Sequence, residues 1–143
     1  MRINEIDLQT EDIMWFAIDS NGYIFECTSA GRGNVPEYIC CSKENTDKLL
    51  DYFTNKAPVL TKPILLIPEE NNYLIKEITD LSSKGIFCYD IDEDDENYYT
   101  AVAKPETPIT IKDLPEEVQS IISSHVYDGN ITTSKRISVP HAY

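Results

Sequence analysis

The chain has 143 residues, 25 acidic and 12 basic, for a formal net charge of −13, and 41% of its residues are apolar. That length suits one domain able to bury roughly 68–70% of its unfolded surface without a staple. The charge excludes the basic footprint that nucleic acid or an anionic membrane requires, and no run approaches the roughly 18 apolar residues of a membrane span. The opening MRINEIDLQTED has no apolar core of a signal peptide, so the expected compartment is the cytoplasm.

Residues 1–11 read as a polar lead-in or an edge strand through Ile3, Ile6 and Leu8. Asp12–Ile18 is apolar on both alternating sets, which predicts a strand covered on both faces and central in its sheet. Asp19-Ser20-Asn21-Gly22 supplies residues that tolerate positive φ, so a hairpin turn follows. The return strand Tyr23–Thr28 places Tyr23, Phe25 and Cys27 on one face and Ile24, Glu26 and Thr28 on the other.

Ser29–Pro36 is a loop containing Gly31, Arg32 and Gly33. A glycine-bearing loop between strand and helix invites a phosphate-binding reading, but GRGN lacks the third glycine of a dinucleotide loop and the Gly-Lys pair of a P-loop. The competing reading is a turn that needs glycine backbone freedom. Arg32 is the only base between Arg2 and Lys43, which makes these three residues the candidate ligand loop.

Ser42 is a good N-cap for a helix over 42–56, with Leu49, Leu50 and Phe53 on its apolar face and Pro58 as its stop. Three prolines between Pro58 and Pro68 leave room only for a short buried strand or apolar loop near Ile64–Ile67. A second helix is predicted over 69–83. Glu69 and Glu70 open it, Tyr73, Leu74, Ile78 and Leu81 form its stripe, and Lys84-Gly85 closes it. Ile86–Ile91 and Tyr98–Ala103 form a second hairpin, and Ile109–Ile111 a short strand. A third helix starts near Pro115 with Asp113 as candidate N-cap, burying Val118, Ile121 and Ile122. A last strand is expected within Ser134–Val139 after a turn at Asp128-Gly129-Asn130. The predicted whole is a single α+β domain, residues 1–143, with an antiparallel sheet built from hairpins and about three helices packed on it.

Asp90–Glu96 holds six acids in seven residues. Its D-x-D-x-D start resembles a calcium loop, but the pattern's sixth position is Asp95 instead of glycine and its twelfth is Ala101 instead of glutamate. Asp92, Glu93, Asp94, Asp95 and Glu96 are therefore read as a solvated hairpin tip or as a docking surface for a basic protein, whose approach a dense acidic tip would speed. Cys27, Cys40, Cys41 and Cys88 have no C-x-x-C spacing and only His125 and His141 for company, so no metal or other cofactor is expected and the thiols read as small hydrophobes.

Trp15-Phe16-Ala17-Ile18-Asp19 with Gly22, followed by Ala30-Gly31-Arg32-Gly33-Asn34-Val35-Pro36, resembles a motif of uncharacterised bacterial immunity-type proteins that accompany polymorphic toxins. Gly85–Asp90 and Leu114-Pro115 are similar in order. The resemblance covers about the first quarter well and carries over no functional residue. It implies a non-enzymatic protein that neutralises a cognate toxin by direct contact, and a −13 protein is suited to plug a basic cleft. Two alternatives stand beside it: a small hydrolase using a cysteine or a carboxylate pair, and an adaptor with no toxin.

Overall fold

The computed structural model describes residues 1–68 and 72–143 of one α+β domain. Six strands form one mixed sheet: β1 (Met14–Ile18), β2 (Ile24–Thr28), β3 (Pro63–Leu65), β4 (Phe87–Ile91), β5 (Tyr98–Pro105) and β6 (Arg136–Ser138). Their order is β1-β2-β4-β5-β3, and β6 also pairs with β5. The expected hairpins β1–β2 and β4–β5 are antiparallel. The fully antiparallel sheet is corrected, because β2 and β4 run parallel, with Phe25 opposite Phe87 and Thr28 opposite Asp90. Two parallel neighbours need a long crossover, and residues 29–86 supply it.

Among the described residues five α-helices stand where about three were expected: α1 (Glu5–Thr10), α2 (Glu37–Cys40), α3 (Lys43–Asp51), α4 (Asn72–Ser83) and α5 (Glu116–Ile122). The lead-in is neither coil nor strand. The Asn4 side chain accepts from the Asp7 amide at 2.9 Å and Asp7 accepts from the Asn4 amide at 3.0 Å, a reciprocal cap that starts α1. Ser42 caps α3 as expected, but the helix widens at Asp51 into a π-helical turn over Tyr52–Lys56. Buried Lys84 fastens that turn by donating to the carbonyls of Phe53 (2.7 Å) and Thr54 (3.1 Å) and to Asp80 (3.0 Å). The expected opening of α4 at Glu69 and Glu70 lies outside the described residues, as does the Tyr73 side chain. Asp113 caps a 3-10 turn begun by Thr110, whose amide donates to it at 2.9 Å, while Pro115 occupies the N-cap of α5. The strand expected at Ile109–Ile111 shrinks to a single bridge between Thr110 and Tyr23.

The sheet separates two cores. On one face Trp15, Phe25, Phe87, Tyr89 and Tyr99 pack against α1, α2 and the C-terminal segment. On the other, Phe16, Ile24, Cys88 and Val102 meet α3, α4 and α5. β1 is apolar on both sides because both layers cover it, yet it lies at the sheet edge and not at its centre. Its outer edge is closed by the 125–127 segment: Ile18 donates to the His125 carbonyl at 2.8 Å, Tyr127 donates to the Ile18 carbonyl at 2.8 Å, and the His125 Nδ1–H donates to the Phe16 carbonyl at 3.0 Å. At the opposite edge, Glu106 donates to Lys62 and Leu66 to Val102, so residues 62, 64 and 66 bond to β5 while Pro63 and Leu65 turn outward. Pro63 has no N–H to offer there, which blunts the edge against strand addition.

Asp19 binds the turn to the C-terminal segment. Its carboxylate is 1% exposed. One oxygen accepts from the amides of Asn21 (3.0 Å) and Tyr23 (2.9 Å), and the other from Ile131 (3.0 Å). Asp19→Ala leaves the part-buried Asn21 and Tyr23 amides and the buried Ile131 amide without their acceptor, so unfolding by urea should show a loss of roughly 2–4 kcal/mol. A loss below about 1 kcal/mol would mean that water replaces the carboxylate there.

Candidate functional site

The candidate ligand loop and the acidic hairpin are distant in sequence and adjacent in space. Loop 29–36 leaves β2 through two left-handed residues, Ala30 (φ 54°) and Gly31 (φ 73°). The Ala30 amide donates to Asp12 at 2.9 Å. Gly33 has no positive φ. A Cβ there would lie 2.5 Å from Ile91 Cδ1 and 2.6 Å from the Tyr99 hydroxyl, so this glycine is required by close approach instead of by backbone conformation. That approach lets Tyr99 donate to the Asn34 carbonyl at 2.7 Å, Asn34 N–H donate to Glu96 O at 3.0 Å, and Asn34 Nδ2 donate to Asn97 at 2.7 Å. Arg32 reaches across to the Asp92 carbonyl at 2.7 Å.

These bonds leave little for a phosphate. The Arg32 and Gly33 amides both donate to the Ser29 carbonyl, at 3.2 and 2.9 Å. The small cleft of about 250 Å³ beside Gly31, Arg32 and Gly33 also carries the carboxylates of Glu5 and Glu96. Gly31, Arg32 and Gly33 act here as a brace for the acidic hairpin.

Within that hairpin the five acids divide by role. One Asp92 oxygen accepts from the Asp94 and Asp95 amides at 3.2 Å each, and the other accepts from Thr100 at 3.1 Å. Arg136 lies 3.6 Å from Asp92 and stacks over the Tyr98 ring at 3.7 Å. Partial burial pushes the Asp92 carboxyl up, but the Asp94 amide, Thr100 and Arg136 outweigh it and hold the group below the usual carboxylate range. Asp95 accepts from the backbone and side chain of Asn97 at 3.0 and 2.8 Å. Asp92 and Asp95 thus build the turn, whereas Glu93, Asp94 and Glu96 are exposed. Among the described residues no group of three or more His, Cys, Asp or Glu could hold a metal ion.

Beside the hairpin, on the helical face, opens a cleft of about 520 Å³. Its apolar part comes from Ile67, Leu74 and Val102, and its carboxylates from Asp90, Asp92, Glu93 and Asp94. Burial raises the Asp90 carboxyl above its ordinary range.

One residue escaped sequence reasoning as anything more than a face assignment. Glu26 is fully buried in β2 between Phe16 of β1 and Cys88 of β4. Thr28 donates to one of its oxygens at 2.5 Å, and the other has no partner. Burial, with Asp90, Asp12 and Glu77 adding like charge, pushes its carboxyl up to about 8. A lone glutamate in an otherwise apolar alternation was the only signal. Cys27 and Cys88 are also raised by burial, and all four cysteines are free, with Cys41 alone exposed. His125 is held neutral by burial, its pKa lowered.

Glu26 carries a proton in the folded state that the unfolded chain releases above about pH 4.5. Its stability contribution is therefore complete below about pH 4.5 and is lost as pH rises toward about 8. Glu26→Gln stays neutral throughout. Relative to the parent it should match within about 1 kcal/mol at about pH 5 and be more stable by roughly 3–5 kcal/mol at about pH 9, by urea denaturation. His125 opposes this slope, since its neutral burial favours the fold only above its depressed pKa, and comparison at matched pH cancels it. Equal stabilities at about pH 9 would show that Glu26 is ionised and solvated in the fold.

Set against family models, curated proteins and solved structures, the chain matches none, so the site stands on its own geometry.

Proposed function

We propose that the chain is a non-enzymatic binding protein of the immunity type, which neutralises a basic toxin by direct contact at the acidic hairpin and its cleft. The observation that supports this reading is the cleft itself, with apolar walls and four carboxylates in about 520 Å³. A lysine or arginine side chain lays its aliphatic stem on apolar surface and keeps its charge for a carboxylate. Ile67 and Val102 suit the stem, and Asp90, Asp92 and Asp94 suit the head. The exposed Glu93, Asp94 and Glu96 extend the same field outward for encounter. The turn is already ordered by Asp92, Asp95 and Arg32, so little side-chain ordering is needed on binding.

The hydrolase alternative requires a perturbed carboxylate or thiol open to substrate. Glu26, Cys27 and Cys88 are perturbed, but each is fully buried; Asp90, raised by burial, does line the cleft and is the one perturbed carboxylate there that this alternative could use.

The test is capture of partners by the tagged protein from its native cells, alongside the variant Glu93→Gln/Asp94→Asn/Glu96→Gln. These three groups are exposed and hold no turn bond through their carboxylates, so the variant should fold as the parent does. The expected result is one stoichiometric basic protein, held at least about tenfold more weakly by the variant and released by salt. An acidic partner, or one held equally by the variant, overturns the reading.

A further inference from the structure

A second cleft opens on the opposite face of the sheet, between β4, β5 and the 131–135 segment. Its volume is about 250 Å³, roughly eight water molecules. It exists because Ala101 leaves a hollow beside the larger Phe87 and Tyr89. Its lining contains no carboxylate, although acids outnumber bases 25 to 12 in the chain. The acidic cleft on the other face has four, and the cleft along α4 includes Glu77 and Asp80.

Two exposed lysines, Lys104 and Lys135, stand at its rim. Among the described residues neither has an ion pair or a side-chain hydrogen bond, and the Thr133 hydroxyl beside them is likewise unpartnered. The rim itself is held firmly. Tyr89 shares its hydroxyl proton between the carbonyls of Ser134 (2.6 Å) and Ile131 (3.2 Å). Asn130 accepts from the Thr132 amide (3.0 Å) and hydroxyl (2.6 Å), and Ser134 donates to the Asn130 carbonyl at 2.6 Å. The Ala101 amide donates to the Lys135 carbonyl at 2.8 Å, which pins the segment to the sheet.

We infer that this cleft binds a small carboxylic acid with a compact apolar body, about the size of benzoate. The apolar body lies on Phe87, Tyr89 and Ala101. The carboxylate meets the ammonium groups of Lys104 and Lys135. An apolar hollow with a few convergent polar groups is the usual form of a small-ligand site. A neutral analogue gains only the floor, and a bare anion gains only the rim. In the net field of a −13 protein, an anion finds one of its few favourable places here. The inference is independent of the partner reading, because the amides of residues 90–94 lie at the other cleft.

The experiment is titration of the isotope-labelled protein with benzoate, benzamide and inorganic phosphate, followed by amide shifts. Benzoate is expected to move the amides of Phe87, Tyr89, Ala101 and residues 132–135 saturably, with Kd about 1 mM or below. Benzamide and phosphate should each bind at least about tenfold more weakly. Lys104→Ala/Lys135→Ala, both at exposed positions, should weaken benzoate by a similar factor, and Ala101→Leu should block it by filling the floor. The inference is overturned if benzoate leaves these amides unmoved, if benzamide or phosphate binds as tightly, or if the double lysine variant binds benzoate like the parent.

Discussion

The close approach of Gly33 to Ile91 and Tyr99 is the contact on which the arrangement of this protein depends. A backbone with no Cβ lets loop 29–36 descend onto β4 and β5. Tyr99 can then hold the Asn34 carbonyl, and Asn34 can hold the acidic hairpin through Glu96 and Asn97. Trp15 closes the same cluster, its ring edge-on to Tyr99 with centroids 5.7 Å apart. One small residue thereby couples the first hairpin, the second hairpin and the C-terminal tail, since Asn34 also donates to the Val139 carbonyl at 3.0 Å. Burial of the aromatic cluster supplies the driving force, and the hydrogen bonds decide the register in which it is buried.

The buried polar groups show how that interior tolerates charge. Asp19 is answered by three backbone amides, Lys84 by two carbonyls and Asp80, and His125 by the Phe16 carbonyl. Each ties elements that are far apart in sequence, as a satisfied buried polar group can. Glu26 is different. Its unpartnered oxygen gives no such tie, and neutralisation by a proton is the response that burial enforces. The fold therefore contains a fully buried carboxyl whose protonation and global stability are linked through pH.

Charge is distributed as unevenly as it is abundant. Six acids in seven residues crowd one end of the β4–β5 hairpin, and the adjacent cleft on the helical face is acidic. Across the sheet, the cleft under the 131–135 segment has lysines and no acid. A protein with −13 overall thus presents two surfaces of opposite local character, and each surface suits a different class of ligand.

Much of the local structure was legible in the chain. The Asn21-Gly22 turn, the faces of β2, the Ser42 cap and the β4–β5 hairpin follow from periods of two, positive-φ residues and side-chain oxygens, all of which act over a few positions. The parallel pairing of β2 with β4 was not legible, because strand neighbours separated by residues 29–86 are chosen by which apolar faces can be covered together. The same holds within the site. Composition alone established an acidic hairpin, but the division into turn-building Asp92 and Asp95 and exposed Glu93, Asp94 and Glu96 arises from backbone amides that the fold points at particular carboxylates. Gly33 read as a residue needing conformational freedom, whereas the tertiary contact with Tyr99 is what requires it. Sequence by itself determined what is local: turns, caps, alternation and net charge. Tertiary structure alone decided which distant groups meet, because burial and hydrogen-bond satisfaction are properties of the packed chain and not of any stretch within it.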